Sequence, residues 1–290
     1  MRSRSLAGDK PGTTDRSQTE DSQRHPGRGS RCLYIVGIGP GDPEHMSQRA
    51  VQVLEQVEAV AGYSTYIDLI RPFIQGKQIV STAMKKEVDR VSAALDIALA
   101  GTSCAIVSSG DPGVYAMAGL VLEMCRKRAI AIGESESNAA TDRLSIEVVP
   151  GIPALCSGAS LLGAPLTHDF AAISLSDLLT PWEKIETRLE AATRADFVIV
   201  IYNPKSRRRA DHLTRAQEIM LAHRDPSTPV GIVTGAMRDN QRVTLTSLGE
   251  LHQADVDMQT TVFVGNSTTF TYDGVMVTPR GYAEKYDMGK

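Results

Sequence analysis

The sequence predicts an α/β protein built as two α/β domains, and three observations predict it. From Cys32 to Leu162, short apolar runs alternate with glycine-bearing turns and amphipathic stretches. That is the rhythm of parallel strands joined by helical crossovers. After the stretch Gly163 to Asp169, strands follow one another with short turns and few helices, which points to a mixed, partly antiparallel sheet. The chain has 290 residues, more than one domain at ~100–200 residues needs. The expected division is an N-terminal domain over 32–164 around a mostly parallel sheet and a C-terminal domain over 165–290 around a mixed one. Residues 1–31 are expected to be a disordered tail. Beyond Met1 they hold Leu6 as their one large aliphatic side chain, too little apolar surface to offset the entropy of ordering. The tail has no apolar core for a secretory signal, and its acids argue against a transit peptide.

The elements follow in order. Leu33–Ile38 is a strand that runs into glycines. Met46, Ala50, Leu54 and Val57 share one face of a helix, with Asp42 or Ser47 as its cap. Glu58–Ala61 is a second strand. Val88, Val91, Leu95, Ala98 and Leu99 mark a helix that Gly101 ends. Cys104–Val107 is a third strand and Ala116–Arg128 a helix. Gly133–Ser145 is a polar surface loop, Ile146–Val149 a fourth strand stopped by Pro150-Gly151, and Ala154–Leu162 a buried helix. In the second half, Asp196–Tyr202 and Val230–Thr234 are very apolar runs on either side of a helix over Ala210–Ala222. Val243–Ser247, Thr261–Val264 and Val275–Thr278 are strands.

Composition excludes several classes of function. Hydrophobic residues make up 42% and charged residues 22%, with a net charge of -3. A slightly acidic chain has no general attraction for nucleic acid. The apolar runs, such as Phe197–Tyr202, are far shorter than the ~20 residues a spanning helix needs, so no membrane partner is expected. Cys32, Cys104, Cys125 and Cys156 form no CxxC pair, and the six histidines show no HExxH spacing. No metal site is expected, and the cysteines read as free thiols in a reducing cytoplasm.

Three loops at strand ends can carry chemistry. Gly37-Ile38-Gly39-Pro40-Gly41-Asp42-Pro43 fails as a dinucleotide fingerprint, because Asp42 stands where a third glycine is needed for helix–strand packing. Ser108-Ser109-Gly110-Asp111-Pro112-Gly113 is again a small-residue turn with one acid. Asp111 either caps the following helix or accepts hydrogen bonds from a ligand amine or ribose. The third is Val148-Val149-Pro150-Gly151-Ile152-Pro153. Loops at the carboxyl ends of parallel strands share a pocket. With two acids and no lysine, this pocket suits a cationic or neutral nucleoside better than a phosphate.

These three motifs, in this order and spacing, resemble the tetrapyrrole (corrin/porphyrin) methylase family, and the likeness extends over residues 32–282. Further stretches resemble the branch of that family that methylates precorrin-3B at ring carbon 17 in cobalamin biosynthesis. They are Gly62–Tyr66, Leu166–Trp182, Tyr202–Ser206 and Val277–Tyr282. The resemblance implies two α/β domains with S-adenosylmethionine in the cleft between them. It implies a cofactor pocket lined by Pro40, Ser109, Gly110, Asp111, Val114, Pro153, Ala154, Tyr202 and Ala236. Pro153 departs from the family, where a threonine is common, so a contact there has to come from backbone or water. The implied reaction moves a methyl group from a sulfonium to a ring carbon, which needs in-line alignment and exclusion of water more than a strong acid.

The branch is also associated with ring contraction to precorrin-4, with expulsion of a meso carbon as an acetyl group. That step needs a base. His168 and Asp177 are the candidates, with Ser176 beside them. The macrocycle carries acid arms, and Lys205, Arg207, Arg208 and Arg209 are candidates to receive them. The resemblance further implies a homodimer. Whether the substrate carries cobalt stays open. So do methylation of another ring position and a non-catalytic nucleotide-binding module.

Overall fold

A computed structural model describes residues 31–133, 143–206 and 208–289. The tail expected over 1–31, apart from Arg31, lies outside the described residues. So do most of the loop expected over 133–145 and Arg207. The elements are β1 (Cys32–Gly37), α1 (Gln48–Gln56), β2 (Ala59–Tyr63), α2 (Ser64–Leu69), β3 (Gln78–Thr82), α3 (Glu87–Leu99), β4 (Cys104–Ser108), α4 (Met117–Lys127), β5 (Ser145–Val149) and α5 (Ala154–Leu162). They continue with β6 (Gly163–Ala164), β7 (Phe170–Ser174), α6 (Trp182–Arg194), β8 (Val198–Tyr202), α7 (His212–Leu221), β9 (Pro229–Thr234), β10 (Arg242–Ser247), β11 (Thr260–Val264), β12 (Phe270–Tyr272), β13 (Val275–Val277) and α8 (Tyr282–Lys285).

The mixed α/β class is as the sequence predicts. The first sheet has the order β3-β2-β4-β1-β5, and every pair in it is parallel. Successive side chains point to opposite faces, and here both faces are covered. Leu33, Ile35, Ala61 and Ile106 pack under α3 and α4, while Val36, Val60, Ala105 and Val107 pack under α1 and α2. Strands buried on both sides read as continuous apolar runs, which is why β1, β2 and β4 are legible in the sequence. The second sheet has the order β10-β9-β11-β8-β7. It is antiparallel except for the β7–β8 pair. One of its faces packs on α6 and α7, and the other receives Leu162 of α5 between Val200, Val233 and Phe263.

That placement of α5 matters for the site. The sequence division puts Ala154–Leu162 in the first domain, yet the helix packs on β9 and β11 of the second sheet. The bend Pro150–Pro153 therefore crosses from one sheet to the other. Ser47 caps α1 by accepting the Ala50 N–H at 3.2 Å. Asp42 instead caps the short turn Pro43–His45, through the Glu44 N–H at 2.8 Å. Among the described residues, no helix is long and apolar enough to cross a membrane.

Cys104 sits in the first core, and burial pushes its thiol from an ordinary 9.0 up to about 12. The unfolded chain ionises near the ordinary value and the folded chain does not. This thiol's contribution to stability is therefore full below that value and declines as pH rises toward about 12. Brief alkylation at pH 8 is expected to label the exposed Cys156 and to spare the buried Cys104 and Cys125 until denaturant is added. Mass spectrometry of the peptides reads the order.

Candidate active site

The three motif loops converge because glycine lets them. A Cβ on Gly37 would lie 2.6 Å from the Gly110 carbonyl oxygen and 2.8 Å from the Gly151 nitrogen. One on Gly151 would sit inside contact distance of Gly110 O and 2.8 Å from the Gly37 carbonyl. The tips of β1, β4 and β5 thus stack backbone on backbone. Gly39 and Gly110 exchange both of their backbone hydrogen bonds, at 3.1 and 2.7 Å. Both take left-handed φ, +64° and +69°, a region that glycine enters at no steric cost. The Asp111 carboxylate ties the stack together. Its Oδ1 accepts the Gly113 N–H at 2.8 Å, and its Oδ2 accepts the Gly151 N–H at 3.2 Å.

Side chains from both halves bridge across this stack. Arg238, on the turn between β9 and β10, donates from Nε to the Pro40 carbonyl and from Nη2 to Ser109 Oγ at 2.9 Å. Tyr115 donates its hydroxyl to the Ala172 carbonyl at 2.9 Å, and its ring lies 5.1 Å from that of Tyr202. Tyr202 Oη accepts the Leu155 N–H at 2.9 Å. This contact has a clear cause. Helix α5 starts at Pro153, which offers no side-chain cap, and an orphan N–H of a first turn needs an acceptor. Burial pushes the Tyr202 phenol up to about 12, so it stays neutral through the physiological range. Tyr202→Phe is expected to leave that N–H unpaired and to cost about 1–2 kcal/mol, read as a lower urea midpoint at unchanged slope.

The result is a two-lobed cleft between the sheets. A lobe of about 160 Å³ is lined by Pro40, Ser109, Gly110, Ala154, Tyr202, Ala236 and Arg238, among others. A lobe of about 360 Å³ adds Asp111, Val114, Pro153, Tyr63, Tyr115, Glu87 and Arg90, with Met84, Met117 and Met258. Tyr66, Ser109, Gly110, Ala154, Tyr202, Asn203 and Met258 line both. All nine positions predicted for the cofactor therefore face one cleft. Among the described residues, no cysteine, histidine or lysine lines either lobe. The described lining offers no thiol nucleophile and no imidazole base; backbone, tyrosine and methionine are joined on it by Glu87, Arg90, Asp111, Asn203 and Arg238.

The other predicted positions lie elsewhere. His168 is about half exposed, and its Nδ1 accepts the Asp169 N–H at 2.8 Å. Asp177 pairs with His212 at 3.1 Å, and the hydrogen bond from that imidazole holds its carboxyl below the usual carboxylate range. His212 in turn stands edge-on to Trp182, 4.7 Å between centroids. Ser176 Oγ receives Arg209 Nη1 at 2.6 Å. Arg209 also touches Met258 Sδ at 3.4 Å, so it stands behind a residue of the cleft wall. Lys205 and Arg208 line neither lobe, and Arg208 is exposed.

The sequence reading missed Tyr66, Arg90, Asn203, Arg238 and the three methionines. A signal existed for three of them. Tyr66 belongs to the Gly62–Tyr66 stretch, Asn203 to the Tyr202–Ser206 stretch, and Arg238 follows a glycine at the end of the buried run Val230–Thr234. That is the same arrangement that marks the other loops.

Comparison with known proteins agrees with the geometry. The profile of the Tetrapyrrole (Corrin/Porphyrin) Methylases matches residues 32–252. The chain is 48% identical over 258 residues to the cobalt-factor III methyltransferase of Priestia megaterium, an alignment covering 89% of this chain and 46% of that protein. It thus spans about half the length of that relative. It is 46% identical over 250 residues to a probable cobalt-factor III C(17)-methyltransferase of Salmonella typhimurium, covering 86% of this chain and 99% of the relative. The crystal structure of the methyltransferase CobJ superposes with a TM-score of 0.76 at 33% identity, covering 85% of this chain and 99% of that one. The chain belongs to the tetrapyrrole (corrin/porphyrin) methylase family.

Proposed function

We propose that the cleft binds S-adenosylmethionine and that the chain transfers its methyl group to ring carbon 17 of a cobalamin precursor, with ring contraction. The observation that carries this reading is the meeting of all nine predicted cofactor positions on one cleft, around the glycine stack of the three motif loops. The relatives' names supply the ring position, and they favour a cobalt-containing substrate. Precorrin-3B, the cobalt-free counterpart, is the alternative that the motif resemblance suggests. The reading takes the working unit to be a homodimer in the cytoplasm.

The residues present fit the cofactor. Tyr115 and Tyr202 offer flat aromatic surface at the junction of the lobes. The backbone of the three bends comes to the wall without side chains. Arg238 presents a guanidinium to the smaller lobe. S-adenosylmethionine, when bound, supplies an electrophilic methyl on a positively charged sulfur. The chain's own part is alignment. Pro40, Ser109, Gly110, Asp111, Val114, Pro153 and Ala154 sit on or beside the backbone stack of the three strand tips, with Tyr202 and Ala236 facing them from the second sheet, and a stack with little freedom holds reactants in line. A described lining without cysteine, lysine or histidine suits direct alkyl transfer, because no thiolate, amine or imidazole competes for the methyl. His168, Ser176 and Asp177 lie off the wall, so this reading gives the proton transfers of ring contraction to groups on it.

The test is incubation with carbon-13 methyl-labelled S-adenosylmethionine and either cobalt-factor III or precorrin-3B, followed by NMR of the product. Label on ring carbon 17 is the expected result. Label on another carbon would move the chain to a different branch of the family, and absence of turnover with bound cofactor would make it a binding module.

A further inference from the structure

We propose that Tyr66, Arg90 and Arg238 form a patch on the cleft wall that receives a carboxylate of a bound ligand. The proposal rests on the reading of the cleft given above and joins Tyr66, from the Gly62–Tyr66 stretch, to two arginines that neither the sequence motifs nor the family resemblance supplied.

Both guanidiniums are held in place by neutral partners only. Arg90 on α3 is 4% exposed. Its Nε donates to Thr82 Oγ1 at 2.8 Å and its Nη2 to the Ala83 carbonyl at 3.2 Å. Its Nη1 finds only the Met117 thioether at 3.8 Å, a weak acceptor. Arg238 spends Nε on the Pro40 carbonyl and Nη2 on Ser109 Oγ. Its Nη1 has no protein acceptor among the described residues. Neither arginine has a carboxylate within ion-pair distance among the described residues. The acids nearby are committed elsewhere: Asp111 holds two loop N–H groups, and Glu87 Oε1 accepts the Lys85 N–H at 3.1 Å. Burial pulls both guanidiniums below their ordinary proton affinity, and at Arg90 the attraction of the Glu87 carboxylate offsets this only in part. Tyr66 opens on both lobes and lies within electrostatic reach of both arginines. Its hydroxyl has no hydrogen-bond partner among the described residues.

A buried charge is costly until it is paired. Two half-used guanidinium forks and a free phenol O–H on one wall supply five or more unspent donors (a count that follows from the ~5 N–H groups of each arginine). A planar carboxylate matches that geometry best. Two ligands of the cleft carry one: the amino-acid tail of the cofactor and the acid arms of the macrocycle. Arg238 borders the smaller lobe and Arg90 the larger, so the patch can meet either.

The experiment titrates the purified chain with three probes. These are 5′-methylthioadenosine, which has no carboxylate; S-adenosylhomocysteine, which has one amino-acid tail; and uroporphyrin III, a macrocycle bearing acetate and propionate arms. In Arg238→Met and Arg90→Lys, affinity for a carboxylate-bearing probe is expected to fall about tenfold further than affinity for methylthioadenosine, whose own change reports any loosening of the loops that Arg238 ties; a fall of equal size for all three probes overturns the proposal. A fall confined to S-adenosylhomocysteine identifies the cofactor tail, and one confined to uroporphyrin III identifies a macrocycle arm. Unchanged affinity for both probes, with methylthioadenosine still bound, overturns the proposal and assigns these arginines to structure alone. Should an arginine variant lose its fold, Tyr66→Phe gives the readout. It removes one hydroxyl and is expected to weaken the same probe a few-fold, while equal binding overturns the patch. A wild-type chain that binds neither adenosyl probe fails the function reading itself, which is a different result from a wild type that binds them and variants that bind equally.

Discussion

Gly151→Ala is expected to destabilise the chain by about 3 kcal/mol and to weaken S-adenosylhomocysteine binding at least about tenfold. The new methyl would point into the Gly110 carbonyl and lie 2.8 Å from the Gly37 carbonyl carbon and oxygen. All of these are backbone atoms in hydrogen-bonded strand tips, so none can swing aside as the end of a long side chain could. The β5 bend would have to lift away from the other two, carrying Pro153 and the start of α5 with it. Gly119→Ala is the control. That position lies within α4 with nothing inside 4 Å of an added Cβ, and alanine there is expected to stabilise by about 0.5–1 kcal/mol. Urea titration and calorimetry on both variants separate a crowded stack from a general intolerance of glycine replacement.

Asp111→Asn gives the second large effect. The carboxylate accepts two N–H groups from different loops, one with each oxygen. Asparagine offers one oxygen, and its NH₂ would face the remaining N–H. Losing a charge-assisted bond and leaving a donor unpaired is expected to cost about 2–3 kcal/mol. Affinity for S-adenosylhomocysteine and for methylthioadenosine should fall together, because the residue shapes the stack beneath any adenosyl ligand. If S-adenosylhomocysteine binding weakened while methylthioadenosine binding and the urea midpoint stayed put, Asp111 would be contacting the amino-acid tail and not holding the loops.

How far the sequence could be read depended on what each segment buries. Strands β1, β2, β4, β8, β9 and β11 are covered on both faces or most of their length, so they stand out as apolar runs. Strand β3 is an edge strand whose residues are mostly exposed, and no alternation of apolar and polar residues announces it. Strand β7, at the edge of the other sheet, is mostly half-buried, with Ile173 its one buried side chain, and it too shows no alternation of apolar and polar residues. Helix α6 carried a readable pattern, with Trp182, Ile185, Leu189 and Ala192 buried along one face. Its high content of charged residues masked that pattern.

The cleft was legible where chemistry and backbone shape coincide, at the glycine and proline bends. It was not legible at Arg90 or Met258. Only tertiary packing brings α3 and the loop before β11 to the same wall. The Asp177–His212 pair shows the reverse. A polar cluster in a distinctive stretch drew attention, yet its partners are each other and the edge of Trp182.

The measurement that reaches the central claim most directly is hydrogen–deuterium exchange of the full chain with and without S-adenosylhomocysteine. Slower exchange is predicted in the segments spanning residues 37–43, 108–115 and 148–156, together with the turn at 234–241 that carries Arg238. Protection confined to other segments, or none at saturating ligand, would contradict a cofactor seat at the meeting of the three strand tips.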